Sequence, residues 1–174
     1  SLALQSTLSN LAGGILLLVT KPFVSGDYVE TGADSGTVQD IGLAYTTLTT
    51  IDNKLIYVPN SEIAGARIVN YNGRDTRRLN IKVSVSYNAP PQAVRAALEG
   101  LLAGDGRIHA DEGIFVRISA YNSSSIEYTV RAWCDTQVYW DVYYDVMDAI
   151  KPALDAAGVE MTYDHLNVHL MDRK

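Results

Sequence analysis

The first twenty residues carry no ionised side chain, and Lys21 is the first charge in the chain. Residues 11–19 form the one sustained apolar run, and Pro22 ends the pattern. The spacing predicts a helix over residues 1–20. Small or polar residues recur along it at three- and four-residue steps (Ala3, Ser6 or Thr7, Asn10, Gly13 or Gly14), which lets a second backbone approach closely. After Pro22 the period shortens. Segments 27–31, 36–41, 45–51, 55–59 and 67–71 are rich in Val, Ile, Thr and Tyr and are separated by Gly and Asn turns, so they predict five short strands in a small barrel or twisted sheet. Strict alternation then places Leu79, Ile81, Val83, Val85 and Tyr87 on one strand face. Pro90-Pro91 opens a helix whose Val94, Ala97, Leu98, Leu101 and Leu102 keep helical spacing. Segments 115–120 and 126–134 alternate again as a hairpin. A long helix over 138–157 closes at Gly158, with Pro152 predicted to kink it or split off its last turn. Strand, helix, strand, strand, helix is a ferredoxin-like order. The short segment 166–170 is a final strand that completes this sheet or pairs elsewhere.

The fold class predicted is therefore α+β: an N-terminal amphipathic helix, a small five-stranded β domain, a ferredoxin-like α/β domain and a C-terminal strand. The boundaries fall at 1–21, 22–73, 74–162 and 163–174. At 174 residues, with 47% hydrophobic and 20% charged, the chain is long enough for one ordinary or two small domains. Its net charge of −6 makes it a poor binder of nucleic-acid backbone. The single cysteine, Cys134, excludes an internal disulfide and a cysteine metal cluster. The N-terminal segment is a weak candidate for a bilayer span, because polar residues 5–7, 9 and 10 interrupt the roughly 20 apolar positions needed. It also lacks the basic start of a signal peptide. A helix that begins inside such a pattern, with no initiator Met, reads as a segment continued upstream.

Candidate chemistry is sparse. Arg74, Arg77, Arg78 and Lys82 form a basic joint beside the acidic β segment, either attracting anions or pairing with that segment. His165 and His169 sit four apart, with Asn167 between them. On a strand they share a face but lie about 13 Å apart, too far for one chain to place both on one metal. Asp141, Asp145 and Asp148 share one helix face and read as solvated. Cys134 reads as a buried structural thiol. No phosphate-binding glycine loop, zinc-protease motif or nucleophile elbow occurs, so an enzyme has little support.

Several strings together carry a resemblance. They are residues 2–18 (LALQSTLSNLAGGILLL), Lys21-Pro22-Phe23, residues 26–29 (GDYV), Gly36-Thr37-Val38 ahead of residues 46–50, residues 57–60 (YVPN), residues 68–71 (IVNY), residues 142–146 (VYYDV) and residues 154–158 (LDAAG). In this order, over nearly the whole chain, they resemble the small-conductance mechanosensitive channel family. The resemblance implies a homoheptamer with membrane helices N-terminal to this segment. It implies a hollow cytoplasmic cage with side portals, and one strand per subunit in a C-terminal barrel. It places Leu2 in a hydrophobic pore constriction and Gln5-Ser6 at a hinge, with Ser6 where the family commonly has Gly. Asn10 would couple the helix to the β domain, Gly14 would be a second bend point, and the extra Gly13 would move that bend. Arg74, Arg77 and Arg78 would lie near the portals, and His165, Asn167 and His169 in the barrel strand. The implied function is release of ions and small solutes when tension rises, in a bacterial or archaeal inner membrane. The partners are other copies of the chain, lipid through the preceding helices, and the permeating solutes, with no cofactor. The rival class is a soluble binding module of a β domain plus a ferredoxin-like domain, which needs no ring. A small hydrolase on that fold would need a phosphate cradle, for which Asn72 and Arg74 are the nearest pair.

Overall fold

The structure is a computed structural model and describes residues 2–163. It divides into two compact units, with the break between Arg74 and Asp75. Each is built around its own apolar core.

The first unit opens with helix α1 (Leu2–Thr20). Five antiparallel strands follow: β1 (Tyr28–Thr31), β2 (Asp34–Ile41), β3 (Tyr45–Thr49), β4 (Leu55–Pro59) and β5 (Ile68–Asn70). They form one sheet in the order β4-β3-β2-β1-β5. The sheet is open, with β4 and β5 at its edges, so the barrel alternative does not apply to the described residues. β3 stops at Thr49 rather than at residue 51. Thr50 starts a turn there, its N–H reaching the Lys54 carbonyl at 2.9 Å while Asn53 adopts a left-handed φ of 64°. Asn is among the residues that tolerate that conformation. A six-residue helix, α2 (Asn60–Gly65), interrupts the path from β4 to β5 and has no counterpart among the sequence expectations. Alternation along the strands buries Val29, Val38, Leu48 and Val58, which close on Leu17, Phe23 and Ile63.

The second unit runs β6 (Thr76–Val85), α3 (Pro91–Ala103), β7 (Phe115–Tyr121), β8 (Ile126–Asp135) and α4 (Tyr139–Ala156). Its sheet has the order β6-β8-β7, all antiparallel, as in a ferredoxin-like fold. The inward positions of β6 are Leu79, Ile81, Val83 and Val85, as alternation predicts. Tyr87 departs from the expectation: the strand ends at Val85 and Tyr87 is about half exposed. Val94, Leu98 and Leu102 of α3 and Val142, Val146, Ile150 and Leu154 of α4 cover that sheet face. Pro152 does not split α4, which continues to Ala156. The helix closes at Gly158, whose φ of 69° suits a residue without Cβ. The Val159 N–H returns to the Leu154 carbonyl and the Gly158 N–H to that of Asp155, satisfying two carbonyls that the helix end leaves free. Cys134 is buried in this core, and burial pushes its thiol pKa up.

Candidate functional site: the joint between α1 and the β unit

α1 buries only a narrow stripe. Gly13, Gly14 and Leu17 are buried and Asn10 is half-buried, while Leu4, Leu8, Ile15, Leu18 and Val19 are exposed. Positions 10, 13, 14 and 17 fall on one helical face, and that face meets α2.

Backbone proximity is the basis of the contact. A Cβ placed on Gly13 would lie 2.6 Å from the Asn60 carbonyl oxygen and 2.9 Å from the Ser61 nitrogen. A Cβ on Gly14 would lie 2.6 Å from Asn60 Nδ2 and 2.8 Å from the Leu43 carbonyl oxygen. Only glycine admits this approach, so the helix accepts two unfavourable residues, each costing about 1 kcal/mol in propensity, for the sake of the joint.

Polar groups fix the register. The N-cap of α2 is Pro59, which offers no side-chain cap. Asn10 supplies an acceptor instead, its Oδ1 taking the Ser61 N–H at 3.0 Å and the Ser61 hydroxyl at 2.7 Å. It thus satisfies one donor that a helix start leaves open. Asn60 is fully buried. Its Oδ1 accepts from the Thr46 hydroxyl at 2.9 Å, and its Nδ2 donates to the Gly42 carbonyl at 2.8 Å. Thr46, Asn60, Asn10 and Ser61 thereby connect β3, α2 and α1. Leu17, 2% exposed, anchors the far end of the stripe, a burial worth on the order of 2 kcal/mol.

The other sequence-predicted positions are distributed as follows. Leu2 is the first residue of α1, and its side chain falls outside the described part. Gln5 and Ser6 are exposed on an uninterrupted helix that also runs through Gly13 and Gly14. Arg74 ends the first unit, whereas Arg77 and Arg78 lie on β6 in the second. Arg77 stacks its guanidinium 3.7 Å above the Tyr139 ring, and Arg78 lies 5.9 Å from the Trp133 ring centroid. His165, Asn167 and His169 lie outside the described residues. The acidic face of α4 is not wholly solvated, since Asp145 pairs with Arg107 at 2.8 Å. Sequence reasoning missed Ser61, Asn60 and Thr46. The signals were Thr46 within the quoted 46–50 string and Asn60 within 57–60, which point to positions but not to their partners.

No helix among the described residues is long and apolar enough to cross a membrane. An anchored, half-exposed helix on a β unit followed by an α/β unit is the arrangement found in one class of channel domains. Residues 6–73 match the family model for the β-domain of mechanosensitive ion channels, and residues 79–161 match that for the C-terminal part of the mechanosensitive channel MscS. The small-conductance mechanosensitive channel of Edwardsiella ictaluri is 40% identical over 169 residues, covering 97% of this chain and 59% of that protein. The small-conductance channel MscMJ of Methanocaldococcus jannaschii is 31% identical over 179 residues, covering 98% of this chain and 50% of that protein. The closed-state crystal structure of Helicobacter pylori MscS superposes with a TM-score of 0.91 at 29% identity, covering 99% of this chain and 68% of that one. The chain belongs to the MscS family of mechanosensitive ion channels and carries the family's β and C-terminal domains. It spans between half and three-fifths of the length of these sequence relatives. The family is one of ion channels rather than enzymes.

Proposed function

We propose that this chain is the pore-exit helix and cytoplasmic cage portion of a homoheptameric channel that releases ions and small solutes when membrane tension rises. Its home would be a bacterial or archaeal inner membrane, with this portion facing the cytoplasm. The observation that carries the reading is the asymmetry of α1. One stripe is fixed to its own β unit through Asn10, Gly13, Gly14 and Leu17, while the opposite faces are apolar and exposed. Such a helix has surface left for lipid or for neighbouring copies. Its fixed stripe transmits any displacement of the preceding membrane segment to the β sheet through backbone contact rather than through flexible side chains. The C-terminal segment holding His165, Asn167 and His169 would pair with its equivalents in the ring, removing the exposed edge that a lone strand presents. The driving force is the solute gradient, so no cofactor or catalytic group is required.

Native mass decides the assembly. Seven copies of a 19.0 kDa chain give about 133 kDa, and a stable monomer with and without detergent counts against the ring. Patch recordings of the full-length protein decide the activity. Stretch-activated current is expected, and Asn10→Ala should shift its tension threshold. Current that is absent, or indifferent to membrane stretch, would remove the channel reading.

A further inference from the structure

Both helices of the second unit pack on one face of its sheet, and the outward face carries a dense set of cations. Arg78 and Lys82 come from β6, Arg131 from β8 and Arg117 from β7, against two carboxylates at outward strand positions, Glu127 and Asp135, the latter engaged by His109 Nε2 at 3.1 Å. The chain as a whole is acidic, at −6. Lys82 is matched by Glu127 at 3.1 Å and Arg117 by Glu99 at 3.8 Å. Arg78 and Arg131 have no carboxylate partner among the described residues. Strand register makes them diagonal neighbours, since Arg78 pairs with Trp133 and Asn80 with Arg131, a separation of roughly 7–8 Å.

Their guanidinium groups are held by rings. Arg78 lies 5.9 Å from the Trp133 centroid, and Arg131 lies 5.2 Å from that of Phe115, its direct partner on β7. Arg131 Nε also reaches Asn80 Oδ1 at 3.4 Å. Arg78, Trp133, Arg131 and Phe115, with Ile114 and Glu112, border an open hollow of about 310 Å³. Aromatic stacking orients a guanidinium while leaving its edge N–H groups free, and those forks match carboxylate and phosphate geometry. A net excess of positive charge beside a concavity also concentrates anions. Glu112 at the rim opposes them, and it is engaged by His109 Nδ1 at 3.3 Å.

We propose that this hollow binds a small polyvalent oxyanion, a metabolite bearing carboxylates or phosphates, gripped between Arg78 and Arg131 with its body against Ile114 and Phe115. The site is separate from the α1 joint and goes beyond the channel function proposed above.

Trp133 is a built-in reporter, and a Trp140→Phe background makes it the sole tryptophan. The 174-residue chain is titrated with inorganic pyrophosphate and, separately, with citrate, at ionic strength held constant with chloride. The expected result is a saturable change in Trp133 emission at millimolar anion, with the stronger of the two identifying phosphate or carboxylate as the preferred group. Arg78→Gln and Arg131→Gln should each weaken binding by about tenfold. Glu112→Gln should tighten it severalfold, a direction that damage to the fold would not produce. No saturable change with either anion, the same change with chloride alone, or affinities that Arg78→Gln and Glu112→Gln both leave untouched would overturn the proposal. Should Arg131→Gln fail to fold, the other two variants decide.

Discussion

The side-chain oxygen of Asn10 caps a helix to which it does not belong, accepting the Ser61 N–H at 3.0 Å and the Ser61 hydroxyl at 2.7 Å. Pro59, at the N-cap position of α2, leaves that role open. Asn10→Ala therefore removes a cap and the register of α1 together. The expected loss is about 1–2 kcal/mol, the typical worth of an N-cap or of one to two hydrogen bonds. Denaturant unfolding of the first unit measures it. Faster amide exchange at Ser61 and along α1 should accompany the loss, and an unchanged exchange rate at Ser61 would refute the capping role.

Two glycines to alanine should act in opposite directions. At Gly13 the new methyl meets the Asn60 carbonyl at 2.6 Å, a contact with backbone that cannot rotate away. Either α1 or α2 must shift, at a cost of about 1–3 kcal/mol that exceeds the propensity gained. At Gly100, on the exposed side of α3, nothing lies within 4 Å of the new Cβ. There alanine should stabilise by about 0.5–1 kcal/mol, through helix propensity and a less mobile unfolded chain. Thermal midpoints of the two variants should move to opposite sides of the parent. Equal shifts would mean that close approach is not what Gly13 serves.

Tyr128 is fully buried on β8, and its hydroxyl has no hydrogen-bond partner among the described residues. Burial pushes its pKa up, as expected for a phenol kept from water. A buried hydroxyl without a partner is a desolvation cost with no return. Tyr128→Phe should leave stability unchanged or raise it by about 1 kcal/mol, read as a denaturation midpoint. A loss above about 1 kcal/mol would show that the hydroxyl is paired in solution.

Periodicity made the elements legible because it reports which face of each segment is apolar. It located α1, the five short strands, both helices of the second unit and the closing Gly158. It did not report partners. α2 is six residues long, too short to show a helical period, and its importance lies in receiving Gly13 and Gly14 from some fifty residues earlier. The four-residue spacing of small residues on α1 announced a close contact without saying with what. In the same way, the sequence placed Arg131 and Phe115 only within the two strands of a hairpin, and antiparallel register sets them beside Arg78 and Trp133. Arg77 shows the converse: grouped with the basic joint by sequence, it lies over the ring of Tyr139, 62 positions along the chain.

Acid should weaken the loop that follows α3. Arg107 forks onto Asp105, with Nε to Oδ1 at 2.9 Å and Nη2 to Oδ2 at 2.7 Å, and its Nη1 reaches Asp145 of α4 at 2.8 Å. The Arg107 N–H also donates to Asp105 Oδ1 at 3.0 Å. The Arg107 side chain holds the Asp105 carboxyl below its ordinary value of 3.8, against a smaller opposing push from burial. With a folded pKa below the unfolded one, the unfolded chain binds more protons in the interval between them, so stability rises with pH there. The contribution is fully present above the ordinary carboxylate value and is lost as pH falls through the depressed one. Arg107→Gln should therefore flatten the acid limb of the stability curve below about pH 5, with its largest effect on stability near neutrality. Urea unfolding of parent and variant between pH 2 and 7 provides the test. Parallel acid limbs would show that the fork at Asp105 does not contribute to acid sensitivity.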